Sequence, residues 1–129
     1  MPSRTDVTEA LFLRSIDYGD ADRIVTLLTA RFGKAAYIAR SARRSKKRFG
    51  GSLEPFSLLS VHVSRGKGPL AGLDQAHITR VFPRIISDLA RISAGFSALE
   101  LVREFSPEHH PDPTIFETTL AFLEALEAP

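Results

Sequence analysis

A mainly β chain with an α-helical continuation is the fold this sequence predicts: a five-stranded barrel over residues 1–82, then the start of a helical domain over 83–129. Three observations carry that prediction. Up to Phe82–Pro83, short apolar runs are separated by turns rich in Gly and Asp, the pattern of strands in a small barrel. Beyond it, apolar residues recur every three or four positions, the period of a helix packed on one side. Charge divides at nearly the same place. Residues 1–84 carry fifteen Lys and Arg against seven Asp and Glu, and residues 85–129 carry two against eight, so the first part is about +8 and the second about −6.

The elements follow in order. Val7 to Ile16 (VTEALFLRSI) reads as a strand that the turn residues DYGDAD end at Asp17. Arg23 to Thr29 (RIVTLLT) has β-branched residues at Ile24, Val25 and Thr26; it meets a turn at Phe32–Gly33–Lys34 and continues as Ala35 to Ala39. Leu59 to Ser64 is the cleanest strand, because Leu59, Val61 and Val63 alternate with Ser60, His62 and Ser64. The glycines of Arg65–Pro69 (RGKGP) predict a hairpin, with Leu70 to Val81 returning as the fifth strand. After Pro83 the positions Ile85, Leu89, Ile92, Phe96, Leu99 and Val102 fall on one face of a helix ended by Ser106–Pro107. A second helix starts at Asp112–Pro113, an N-cap followed by a first-turn proline, and carries Phe116, Leu120, Leu123 and Leu126. Two helices cannot cover those apolar faces between themselves, so part of the surface is expected to pack on the barrel, and the chain reads as a piece of a longer one.

Composition removes several classes of function. The 129 residues are 43% hydrophobic and 25% charged, enough for a real core, and contain no cysteine, which excludes a disulfide framework, thiolate zinc sites and a cysteine nucleophile. No apolar run approaches membrane-spanning length and MPSRTDVTEA lacks an apolar signal region, so the expected location is cytoplasmic, with no membrane partner. GKGPLAG meets neither the P-loop nor the dinucleotide spacing, and no nucleotide or other cofactor is expected. His109 and His110 are adjacent and point apart in an extended segment, which suits a polar loop better than a shared metal. Asp17, Asp20 and Asp22 lack the alternate oxygen ligands and closing glutamate of a metal loop; they read as a turn bonded to its own backbone and paired with Arg23. His62 and His77 are placed on the wet faces of strands.

The feature left over is ARSARRSKKRFGG, Ala39 to Gly51, where Arg40, Arg43, Arg44, Lys46, Lys47 and Arg48 occur with no acidic residue among them. Its apolar residues have neither helical nor strand period, so the segment faces water or a polyanion. Barrels of this size bind oligonucleotides with cations along the phosphates and aromatic rings against the bases. Phe56 begins an apolar strand and is assigned to the core, whereas Tyr37 and Phe49 fit base stacking and core packing equally well.

The stretch TEALFLRSIDYGDADRIVTLLTARFGKAAYIARSARRSKKRFGGSLEPFSLL strongly resembles the N-terminal region of the RecO family of bacterial DNA repair and recombination mediators. The likeness lies in the order of its parts: a strand ending in DYGDADR, the strand VTLLT, a Gly-Lys turn, a strand ending in AR, a basic loop and LEPF. It extends through HHPDPTIFE and so covers nearly the whole chain. The resemblance implies an oligonucleotide-binding (OB-fold) barrel before a helical domain, and a nucleoid-associated protein with no catalytic centre. It also implies binding of single- and double-stranded DNA without sequence preference, annealing of complementary strands, and loading of the recombinase RecA together with RecR and the single-strand-binding protein. The family's DNA-binding cations match Lys34 and Arg40 here, with Arg43, Arg44, Lys46, Lys47 and Arg48 as the adjoining loop and Tyr37 and Phe49 as the neighbouring rings. Family chains continue well beyond this one, some with a cysteine zinc module, and their site for the tail of single-strand-binding protein lies in the helical domain. Two other readings compete: an RNA-binding barrel of the translation machinery, and a metal-dependent nuclease, for which the chain offers only scattered Asp, Glu and His.

Overall fold

The computed structural model describes residues 5–65 and 70–129. Five strands, β1 (Thr5–Tyr18), β2 (Asp22–Thr29), β3 (Gly33–Ala39), β4 (Ser57–Ser64) and β5 (Ala71–Val81), close into a barrel in the order β1-β2-β3-β5-β4. The first three form an antiparallel meander, β1 also pairs with β4, and β4 pairs with β5. Closure is completed by a short parallel seam, in which β3 and β5 match only at Tyr37–Ala71 and Ile38–Gly72. This five-stranded barrel followed by helices is the OB-type architecture expected, with most strands running a residue or two past the limits read from the sequence. From Gly66 to Pro69, the expected hairpin lies outside the described residues.

The barrel interior is filled by the inward positions of every strand, among them Ala10, Phe12, Val25, Leu27, Leu59, Val61 and Leu73. A second apolar cluster lies outside the barrel wall. Leu11, Leu13, Leu28 and Leu58 on the strands, with Phe56 and Phe82, pack against Ile85, Leu99, Phe116 and Leu123 of the helices. Leu11 and Phe12 are both buried because β1 is covered on its two faces there, inside by the core and outside by helices. The expected packing of helices on barrel is therefore present.

The helical part differs from expectation in one respect. The single helix predicted after Pro83 is two, α2 (Pro83–Ser87) and α3 (Leu89–Phe105). Asp88 divides them. Its backbone is extended (φ −125°, ψ 119°) and its carboxylate accepts from the amides of Ala90 at 2.9 Å and Arg91 at 3.3 Å, so it N-caps α3. The break rotates Leu89, expected on the apolar face, into water at 82% exposure. The last helix, α4 (Pro113–Glu127), begins at the predicted cap, with the Asp112 carboxylate accepting from Thr114 at 2.9 Å. Its C-terminal Glu127 reaches back to accept from the amides of Arg84 (3.1 Å) and Ile85 (3.0 Å) and so caps α2, which has no side-chain cap of its own.

Candidate nucleic-acid interface

The basic segment is a built corner. It turns through Ser41–Arg44 and then forms one helical turn, α1 (Lys46–Phe49), where a structureless loop was expected. Ser45 is the N-cap, accepting from the Arg48 amide at 3.4 Å, and Gly50 ends the turn in the left-handed conformation (φ 51°). One apolar side chain in that turn, Phe49, is enough to anchor it: the ring is 3% exposed and belongs to the barrel core.

The six cations fall into two sets. Arg43 and Arg48 are fastened to neighbouring elements. The Arg43 guanidinium donates to the carbonyl oxygens of Asp20 (3.2 Å) and Gly19 (3.5 Å) and lies 3.7 Å from the Asp17 carboxylate, while its amide donates to the Ala21 carbonyl at 3.0 Å. Arg48 donates to the carbonyl of Arg40, the Ser45 hydroxyl (3.3 Å) and the Asp74 carbonyl (3.5 Å), and its guanidinium stands 4.8 Å over the Phe49 ring. These two fix the corner to the β1–β2 turn and to β5. By contrast, Arg40, Arg44, Lys46 and Lys47 are all exposed and, among the described residues, their side chains make no hydrogen bond or ion pair. Four cations without partners among the described residues, on a corner anchored by Phe49, have the chemistry to contact phosphate groups.

Three residues expected at the interface are placed elsewhere. Tyr37 is 3% exposed, and burial raises its phenol pKa above the ordinary 10.0, with the Thr29 hydroxyl pulling it back in part. Tyr37 and Phe49 thus take the packing side of the two readings, since both belong to the barrel's core cluster. Lys34 is 8% exposed and is not a surface cation. Its ammonium donates to the Arg103 carbonyl in the last turn of α3, where the helix dipole favours a positive charge. Its own carbonyl accepts from the His109 amide at 2.8 Å, and a parallel bridge pairs Lys34 with Glu108. Beside it Gly33 (φ +72°) touches His110 so closely that a Cβ would lie 2.3 Å from the His110 carbonyl oxygen. The Gly-Lys turn therefore holds the α3–α4 connection against the barrel.

Phe56 is in the core, 2% exposed, with its ring 4.9 Å from Phe96 and against Gly95. Asp17 pairs with Arg23 at 3.6 Å as expected, but among the described residues no carboxylate of the turn accepts from the turn's own backbone; Asp22 accepts instead from the Ser41 amide at 2.7 Å. His109 and His110 lie in the interhelix connection, and among the described residues no group of three His, Asp or Glu is arranged to hold a metal. His62 and His77 face each other edge to face at 5.9 Å on β4 and β5. One exposed aromatic beside the basic corner escaped the sequence reading: Tyr18, at the end of β1, is 56% exposed. Its position inside the acidic turn DYGDAD hid it. The signal that could have found it was alternation with Ile16, which puts both on the outer face.

Similarity to known proteins agrees with this geometry. A family model described as "Recombination protein O N terminal" matches residues 4–82. The chain is 49% identical over 117 residues to a DNA repair protein RecO of Anaeromyxobacter sp. (strain K), covering 90% of this chain and 46% of that protein. It is 45% identical over 120 residues to DNA repair protein RecO of Pelobacter propionicus, covering 93% and 49%, and 42% identical over 120 residues to that of Myxococcus xanthus, covering 93% and 49%. The chain spans about half the length of the curated relatives it matches. With the family's N-terminal model matched through all five strands, the chain belongs to the Recombination protein O (RecO) family.

Proposed function

We propose that this chain is the barrel and first helices of a DNA repair and recombination mediator, one that binds DNA through the basic corner and has no catalytic role. In this reading it holds single- and double-stranded DNA without sequence preference, promotes annealing of complementary strands, and acts with RecR to help load RecA on DNA coated by single-strand-binding protein. The observation that carries it is the set of four cations on the anchored corner Arg40–Phe49 that have no partner among the described residues, since phosphate contacts position nucleic acid and carry no base information. Membership of the RecO family and the name "DNA repair protein" borne by its relatives support the biological setting.

The test is a set of anisotropy titrations of the 129-residue chain with labelled single-stranded DNA, duplex DNA and RNA of one sequence, with and without magnesium. Expected are binding to both DNA forms, a steep loss of affinity with salt, little dependence on sequence, and intact oligonucleotide throughout. A strong preference for RNA would favour a translation-type barrel, and chelator-sensitive strand cleavage that survives further purification would favour a nuclease. Either result overturns the proposal.

A further inference from the structure

The barrel carries a second feature beside the basic corner, on the outer face of β1, β2 and β3. Register places Ile16 opposite Ile24 and Ile24 opposite Ile38, so three isoleucines form one row across three strands, ending at Gly72 on β5. Ile16 is 44% exposed, and Ile24 and Ile38 are partly exposed. Tyr18 stands two residues beyond Ile16 on the same face, and Arg14 stands two residues before it, exposed and opposite Thr26. Along β1 the platform thus has an aromatic ring and a cation on either side of Ile16, and from Ile16 the aliphatic row runs crosswise over β2 and β3.

This platform is continuous with the corner. Tyr18 opens the β1–β2 turn, and that turn is what the corner is docked on, through Arg43 to Gly19, Asp20 and Ala21 and through Ser41 to Asp22. Arg40 leaves β3 two residues after Ile38. Of the three acidic residues at the junction, Asp17 faces Arg23 and Arg43 and Asp22 accepts from the Ser41 amide, whereas Asp20 is exposed and its carboxylate has no partner among the described residues. The surface therefore presents cations beside an open aromatic and aliphatic face, which complements a chain of phosphates bearing flat, unpaired bases. A duplex keeps its bases stacked inside and offers this face nothing to cover.

We infer that Tyr18 and the Ile16–Ile24–Ile38 row are a base-binding platform for single-stranded DNA, so that the corner grips phosphate of any DNA while the platform confers preference for unpaired strands. The inference rests on the DNA-binding reading above and adds the residues that separate one DNA form from the other.

The test compares the unaltered chain with Tyr18→Ala, Tyr18→Phe and Tyr18→Trp, each checked for native circular dichroism, on an oligothymidine and on a duplex of equal length. Tyr18→Ala is expected to weaken single-strand binding about 5- to 150-fold, the equivalent of the ~1–3 kcal/mol a stacked base contributes, with duplex binding unchanged within about twofold and Tyr18→Phe retaining the single-strand affinity. The sequence has no tryptophan, so in Tyr18→Trp the introduced indole is the sole such fluorophore, and saturation with oligothymidine should quench it. If the unaltered chain binds both DNA forms but Tyr18→Ala keeps its single-strand affinity and the indole emission of Tyr18→Trp does not respond, the platform is refuted while the corner stands. Equal losses on both DNA forms would also refute it, because Tyr18 would then act through the corner. If the unaltered chain binds neither form, the DNA reading itself fails, and the platform with it.

Discussion

Replacing Arg40, Arg44, Lys46 and Lys47 together by Ala removes the four corner cations that have no partner among the described residues and spares the two used as fastenings. Each phosphate contact on a single strand contributes about −0.7 to the slope of log affinity against log salt, so if three or four of these side chains touch phosphate the slope should flatten by about 2–3 units. Affinity should fall for every sequence alike. Stability should change little, because exposed side chains without partners typically contribute within about 0.5 kcal/mol each. Arg48→Ala should behave in the opposite way. It removes donors to three oxygens and a cation over the Phe49 ring, loosening the corner at a cost of about 1–3 kcal/mol while leaving the slope almost unchanged. Anisotropy titrations at four or more salt concentrations, run beside urea unfolding of the same samples, measure both quantities. A quadruple variant that keeps its affinity and slope would show the corner to be no more than a solvated surface, and the division of the cations into two sets would have no functional meaning.

Two further perturbations test the surrounding structure. Gly33→Ala should destabilise by more than about 2 kcal/mol in urea unfolding, since it adds left-handed strain and drives a Cβ against the His110 backbone, whereas Gly19→Ala, at φ +61° with open space around it, should cost only the strain of about 1 kcal/mol; equal losses would refute the close contact. The Tyr37 phenol, raised by burial, gives stability that is complete below the unfolded value of about 10 and is lost as pH rises through the raised folded value, because the folded state holds its proton longer. Tyr37→Phe should therefore gain stability relative to the unaltered chain between about pH 10 and 12, measured against their difference at about pH 8, and identical profiles would place the phenol in water.

The strands were legible in the sequence because a half-buried strand writes its burial as alternation, as Leu59–Ser64 does, and the α4 start was legible because Asp112–Pro113 is a local signal. What failed depends on distance along the chain. Lys34 reads as a surface cation because its acceptor, the carbonyl of Arg103, is 69 residues away. Phe49 sits among charges, which left stacking and packing evenly matched, and one helical turn carries it into the core. Tyr37 and Tyr18 exchange roles for a similar reason. Each lies on a strand, and only register with β2 tells which side is inside: Tyr37 opposes buried Val25, and Tyr18 opposes Asp22 on the outer face. The break at Asp88 was local and could have been read, since an Asp ahead of Leu-Ala-Arg is a cap as well as a residue on a polar face.

The contact between the Gly33–Lys34 turn and the α3–α4 connection bears on how the barrel tolerates its own weakest join. β3 and β5 are matched at two positions, which leaves the start of β3 with backbone groups facing outward, the kind of open border along which one chain can recruit another into a shared sheet. Glu108 and His109 cover that border at Lys34. The same helices also blanket Leu11, Leu28 and Leu58 on the barrel wall. The end of the matched family model at residue 82 is therefore crossed by both contacts: the residues that follow cover an open border and an apolar wall belonging to those before them.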